Sequence, residues 1–337
     1  MFGVGNGLLK TGALIALLAL VLPVLAACGG DDAGDEANQD ITIGLGFVPN
    51  IQFAPFYVAD AKGYYQEEGL EVTFNHHAAG ADLFGPLVAG DEGMLMAGGD
   101  EVLQASSQGA PLVYVAEIFR QYPVALIVPA DSDIQAVADL AGHSVGLPGE
   151  YGANYIGLLA LLEDAGLTRD DIELQSVGFT QATALLSGEV DAVMGYINNE
   201  PIQIEKGGME VRTFPVSEAK PLVSNGLVVT SQTLDDDPEQ VEKLVAATLK
   251  GLQYTIEHPD EALEIAKEYV PTLSDEQQAA DAKLVLEATI PLWQSDGKPG
   301  EVDAAAWEET MIFLQSIGLL AQPVETGEVL NLDLLPE

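Results

Sequence analysis

Short apolar runs alternate with helix-length segments along most of this chain, and the alternation is run through once and then repeated. Ile41–Phe47 is a β-branched run closed by Pro49-Asn50; Leu70–Asn75, Met94–Ala97 and Leu112–Ile118 read as further strands. Between them, Ala54–Lys62, Ala81–Ala89 and Glu101–Ser107 read as helices. Val124–Val128 is apolar and stops at Pro129. The second pass places strands at Ser144–Leu147, Ile172–Val177, Val190–Met194 and Val211–Phe214, with helices at Asn154–Ala165, Thr180–Leu186 and Asn199–Glu205. Residues Pro215–Asn225 are irregular, and Leu227–Thr230 returns as a strand. Such a βαβα rhythm predicts two mainly parallel sheets with helices on both faces.

The last third changes character. In Pro238–His258 the residues Val241, Leu244, Val245, Leu249, Leu252 and Ile256 recur at helical spacing, with Thr248 the one polar member of that face. Glu261–Tyr269, Ser274–Ala288 and Asp303–Ile317 follow as helices, the last with Asp303 at its N-cap and Gly318 just past its end. These helices are expected to cover the first unit. Two α/β units then imply a bilobed molecule whose ligand sits where the carboxyl ends of the strands face each other.

The first 27 residues are a different object. Lys10 is the only charge before an apolar run from Ala13 to Ala27, which has the length of a signal-peptide core and cleavage segment. The run ends Leu25-Ala26-Ala27-Cys28-Gly29, which resembles a bacterial lipobox, so cleavage before Cys28 and lipid on that cysteine are expected. Cys28 is the only cysteine, which rules out a disulfide framework. Gly29–Asp40 is glycine-rich and acidic and reads as a flexible tether. With 53 acidic and 12 basic residues, the field of the chain repels nucleic acid and anionic lipid.

Catalytic and cofactor signatures are not found. Gly142-His143-Ser144-Val145-Gly146 spells a nucleophile elbow, but Ser144 opens a strand instead of a strand-to-helix turn. Gly44-Leu45-Gly46 lacks the third glycine of a dinucleotide loop, and Gly146–Gly152 reads equally as a tight turn or as a loop bringing backbone N–H groups to a ligand. His76 and His77 diverge on a strand end and are expected at the surface, with a cleft position for one of them as the alternative. His143 and His258 read as structural. No cofactor, metal site or catalytic residue is expected.

Binding is the positive signal. Aromatic and polar residues concentrate at three predicted strand ends: Phe47, Asn50, Phe53 and Tyr57; Tyr151 and Asn154; Tyr196, Asn199 and Glu200. Aromatic rings supply stacking area at low entropy cost, and Asn and Glu supply directional hydrogen bonds. Ordinary core aromatics beside turns are the alternative. Glu200 either binds an N–H-bearing ring or favours the first turn of the helix it starts.

Four stretches carry a family resemblance: Gly44–Tyr57 (GLGFVPNIQFAPFY), Ala61–Glu71 (AKGYYQEEGLE), Gly188–Gly195 (GEVDAVMG) and Tyr196–Pro201 (YINNEP). Over Ile41 to about Leu320 the chain resembles the solute-binding subunits of ABC importers that take up thiamine pyrimidine precursors, riboflavin, alkanesulfonates, taurine and nitrate. The resemblance implies an α/β, type II periplasmic-binding-protein-like fold. Lobe 1 would comprise residues 41–128 and 225–337 and lobe 2 residues 129–224, with a hinge near Val128–Asp131 and Pro215–Asn225. In the pyrimidine-precursor branch a tyrosine and a glutamate hold the heterocycle, which Tyr196 and Glu200 match, as Asn50 matches an asparagine after the first strand. The anion-binding branches want Ser or Thr where this chain has Ala153-Asn154 beside Glu150. A flat nitrogen heterocycle is therefore expected, riboflavin slightly ahead of a thiamine pyrimidine precursor, with sulfonate, taurine or nitrate as runner-up. Synthase relatives carry a cysteine-rich metal motif absent from this sequence, which counts against an enzyme. A permease, its ATPase and a membrane reached through Cys28 would be the partners of a monomer.

Overall fold

The computed structural model describes residues 39–294 and 297–336. The expected signal segment, Cys28 and most of the tether lie outside the described residues. Among the described residues ten strands form two five-stranded sheets: β1 (Gln39–Leu45), β2 (Leu70–His76), β3 (Met94–Gly98), β4 (Leu112–Glu117), β5 (Val124–Pro129), β6 (Ser144–Leu147), β7 (Glu173–Ser176), β8 (Ala192–Tyr196), β9 (Val211–Pro215) and β10 (Asn225–Thr230). The first sheet has the order β2-β1-β3-β10-β4 and the second β7-β6-β8-β5-β9. β1 runs parallel to β2, pairing Gln39 with Leu70 and Leu45 with His76. Gln39 and Asp40, expected in the tether, are therefore already strand.

Each sheet has one strand running against the rest. β10 is antiparallel to β3 and β4, and β5 is antiparallel to β8 and β9. Both follow a segment that crosses between the sheets, residues 118–123 and 216–224. The position of β5 corrects the expected boundary. Val124–Val128, expected in lobe 1 with a hinge near Val128–Asp131, is instead β5, an interior strand of the second sheet, so the first crossing lies before it. An apolar run reports burial and carries no mark of the sheet that buries it. The second crossing, residues 216–224, falls inside the stretch Pro215–Asn225 expected to contribute to a hinge and contains a short helix, Val216–Ala219.

The helices Pro238–Glu257, Pro259–Tyr269 and Glu276–Trp293 share one core with the first sheet and helix Ala54–Ala61. Asp237 caps the longest of them by accepting from Gln240 N at 3.0 Å. Thr248, the polar residue on its apolar face, bonds Tyr65 Oη at 2.9 Å and Leu244 O at 2.7 Å. Gly251 lets this helix touch Ala54–Ala61 closely, since a β-carbon there would stand 2.2 Å from Pro55 O. Helix Ala304–Ser316, capped by Asp303 as expected, packs its Trp307, Phe313 and Leu314 into a second core with Val102, Leu103 and Tyr114. That core continues into Val124, Leu126 and Val145 of the second sheet. Among the described residues no helix is long and apolar enough to cross a membrane.

Candidate functional site

The carboxyl ends of the parallel strands of the two sheets enclose a cavity of about 160 Å³, roughly ten times the space that one ordered water needs. From the first sheet, the loop after β1 brings Phe47, Gln52 and Phe53, the end of β2 brings His77, and the end of β3 brings Glu101. From the second, the loop after β6 brings Tyr151 and Asn154, that after β7 brings Phe179, and that after β8 brings Tyr196, Asn199 and Glu200. Asn225, at the start of β10, closes the floor. Phe47 and Phe179 meet edge to face across the gap, ring centroids 4.5 Å apart.

Glu200 is buried and folds back on the end of β8. Its Oε2 accepts from Tyr196 N at 2.6 Å and its Oε1 from Asn199 Nδ2 at 3.0 Å. Gly195 makes room, for a β-carbon there would lie 2.7 Å from Glu200 Cγ. Burial pushes the carboxyl up to about 7 against the lowering effect of its hydrogen bonds. Tyr196 Oη accepts from Asn225 Nδ2 at 2.9 Å. Three buried amide atoms on the cavity have no partner: Gln52 Nε2, Asn154 Oδ1 and Asn225 Oδ1. A buried polar atom without a partner is costly; Gln52 Nε2 calls for an acceptor, and Asn154 Oδ1 and Asn225 Oδ1 call for donors.

The histidines are ordered from behind. His77 is buried, not at the surface, and its Nε2 lies 2.8 Å from Glu92 Oε1, which also accepts from Asn75 Nδ2 at 2.7 Å. Glu92 fits because Gly44 has no side chain; a β-carbon there would sit 2.2 Å from Glu92 Oε2. His76 Nδ1 lies 2.9 Å from Phe47 O, so that nitrogen donates and Nε2 accepts from Tyr57 Oη at 3.1 Å. Burial holds His76 below its ordinary value, consistent with this neutral ring. On the far side, Tyr122 Oη stands 2.5 Å from Asp100 Oδ2 and 2.8 Å from Ala153 O, joining both sheets' helices through the crossing segment. Burial pushes Asp100 up to about 6.

Residues 50–262 match the family described as NMT1/THI5 like. The chain belongs to the NMT1/THI5-like family. It is 34% identical over 88% of its length to the riboflavin-binding protein RibY of Chloroflexus aurantiacus, covering 86% of that protein. It is 30% identical over 94% of its length to the formylaminopyrimidine-binding protein of Halalkalibacterium halodurans, covering 97% of it. A 4-amino-5-hydroxymethyl-2-methylpyrimidine phosphate synthase of Legionella pneumophila is 26% identical over 72% of this chain and 77% of its own. The fold is that of periplasmic binding proteins: the aliphatic sulphonate binding protein SsuA of Escherichia coli superposes with a TM-score of 0.68 at 18% identity, over 86% of this chain and 91% of that one.

Of the residues singled out from the sequence, this NMT1/THI5-like chain brings Phe47, Phe53, Tyr151, Asn154, Tyr196, Asn199 and Glu200 to one cavity. Asn50 and Tyr57 are placed elsewhere. Asn50 Oδ1 caps the short helical turn Ile51–Phe53 by accepting from Gln52 N at 3.0 Å. Tyr57 is fully buried and stacks on Tyr269 at 4.7 Å, so the alternating aromatics after β1 divide between cleft and core. Gln52 lies in the first aromatic and polar stretch; Phe179, Glu101 and Asn225 join the cavity without having been singled out from the sequence. Glu101 and Asn225 each sit at a strand-to-helix or crossing junction, which was a usable signal. Ser144 starts β6 and donates to Asp191 Oδ2 at 2.7 Å, a structural bond and no elbow.

Proposed function

We propose that this chain is the solute-binding component of an importer, closing on a flat, uncharged nitrogen heterocycle and handing it to a membrane permease driven by a separate ATPase. The observation that carries this reading is the polarity of the cavity. Among the described residues lining it none is Lys or Arg, while Glu200, three residues with an unpaired amide atom and the rings of Phe47, Phe53, Tyr151 and Tyr196 share the lining. Such a lining suits a ring with N–H and C=O edges and disfavours a sulfonate or nitrate, which needs donors or cations. RibY and the formylaminopyrimidine-binding protein, both named for heterocycles, support the choice. Riboflavin is slightly favoured on the higher identity. Glu200 and Asn199 would bond the ring edge, and Tyr196 would stack on it.

Lipid on Cys28 would hold the protein at the outer face of the membrane, with Gly29 to residue 38 as tether, acting as a monomer without catalysis. A thermal-shift screen of riboflavin, thiamine, aminopyrimidines, taurine and nitrate tests the ligand. A ligand at a hundred times its Kd adds ~2.7 kcal/mol. Stabilisation by taurine or nitrate and not by any heterocycle would overturn the reading. Product from incubation with iron and a pyridoxal cofactor would favour an enzyme of the synthase kind.

A further inference from the structure

Helix Gly152–Asp164, 13 residues long, starts at the cleft, and Tyr151 at its N-cap makes no side-chain hydrogen bond to it. The free N–H groups and partial positive charge at such a start attract anions. With no Lys or Arg among the described lining residues, this start is a conspicuous source of positive potential in the cavity. The space beside it is already taken. Glu101 caps its own helix, Gly99–Ser107, its Oε2 accepting from Gly98 N at 3.1 Å, and its Oε1 stands across the cleft 3.0 Å from where a β-carbon on Gly152 would lie. Gly152 has φ +68°, a left-handed conformation that glycine tolerates and larger residues resist, so the carboxyl and the helix start can approach.

The same corner holds an unsatisfied acceptor. Asn225 is 7% exposed, and its Oδ1 has no partner. Both Asn225 Oδ1, at 3.5 Å, and Glu101 Oε2, at 3.0 Å, lie close to where a β-carbon on Gly98 would stand. An N–H of a neutral ring can satisfy Asn225 Oδ1; a phosphate or sulfonate oxygen cannot. Helix Glu200–Lys206 offers no second seat, because Glu200 occupies its own first turn.

We infer that Glu101 is a specificity residue: it fills the space beside the start of helix Gly152–Asp164, where an anion would be drawn, so the protein admits the uncharged heterocycle and rejects its phosphate ester and alkanesulfonates. The inference rests on the proposed function and deepens it. Burial and the adjacent Asp100 push Glu101 up to about 8, so at neutral pH the group excludes by occupying space more than by charge.

Calorimetry on the wild type, Glu101→Gln and Glu101→Ala, with riboflavin and riboflavin 5′-phosphate and with 4-amino-5-hydroxymethyl-2-methylpyrimidine and its phosphate, tests this. The wild type is expected to prefer the alcohol of the pair that binds. Glu101→Ala should narrow that preference roughly tenfold by strengthening the ester, while Glu101→Gln, which keeps the volume, should leave it near wild type. A wild type that binds ester and alcohol equally, or an Ala variant with an unchanged ratio, overturns the inference, as does a Gln variant that narrows the ratio as much as Ala. If the Ala variant does not fold, Glu101→Ser, which frees the same volume and keeps a polar group, is read in its place, and an unchanged ratio there overturns the inference. Binding of no alcohol by the wild type brings down the functional reading instead, which distinguishes the two failures.

Discussion

The wall of the cleft contributed by the second sheet comes mostly from two stretches, residues 148–154 and 196–200, each following directly on a strand. The wall contributed by the first sheet is gathered from three strand ends and is held from behind by buried polar groups, Glu92 under His77 and Tyr57 under His76. The second wall is thus local in sequence, whereas the first is assembled from separate strand ends, and the unpartnered amide atoms come from both, Gln52 and Asn225 on the first and Asn154 on the second. Buried Glu92 behind His77 implies that damage to the support of the first wall registers as lost stability, while truncation of Glu200 on the second registers in affinity and in the pH dependence of stability.

The largest test is Glu92→Ala. It leaves buried His77, and the more exposed Asn75, without their shared acceptor and should cost about 3 kcal/mol of unfolding free energy in denaturant titration. An unchanged midpoint would break the claim that the first wall is held from behind. Proton linkage at Glu200 is of similar size. Its carboxyl stands at about 7 in the folded protein against an ordinary 4.5, so between those values the folded state binds the extra proton. Stability from this group is fully present below the ordinary value and is lost as pH rises through about 7, a change of about 3 kcal/mol at most. His76, kept neutral by burial, works in the opposite sense at acid pH, so the clean readout is the difference between wild type and Glu200→Gln. Melting curves from pH 4 to 8 should be flatter in the variant over that window.

Next in size is affinity. Glu200→Ala should weaken heterocycle binding roughly tenfold or more, about 1.4 kcal/mol, by calorimetry; unchanged affinity would sink its assigned role. The smallest effect is expected from Asn50→Ala, which removes a cap worth ~1 kcal/mol and should leave affinity alone. A tenfold loss of binding there would restore the ligand contact that the sequence suggested and blur the contrast between the walls.

The alternation of strand and helix, the apolar stripe of Pro238–Glu257 and the caps at Asp303 and Gly318 were legible without coordinates, because they are local patterns whose period reports burial. The second wall was legible for the same reason, as Tyr196, Asn199 and Glu200 follow one strand within five residues. Tertiary structure alone decided that β5 belongs to the second sheet, that β5 and β10 run against their neighbours, and that Tyr57 turns into the core while Phe53 faces the cleft. It alone also set Glu101 of one sheet against Gly152 of the other. Strand pairing and cross-cleft neighbours join residues far apart in the chain, and no local periodicity encodes which partner an apolar or charged residue will meet.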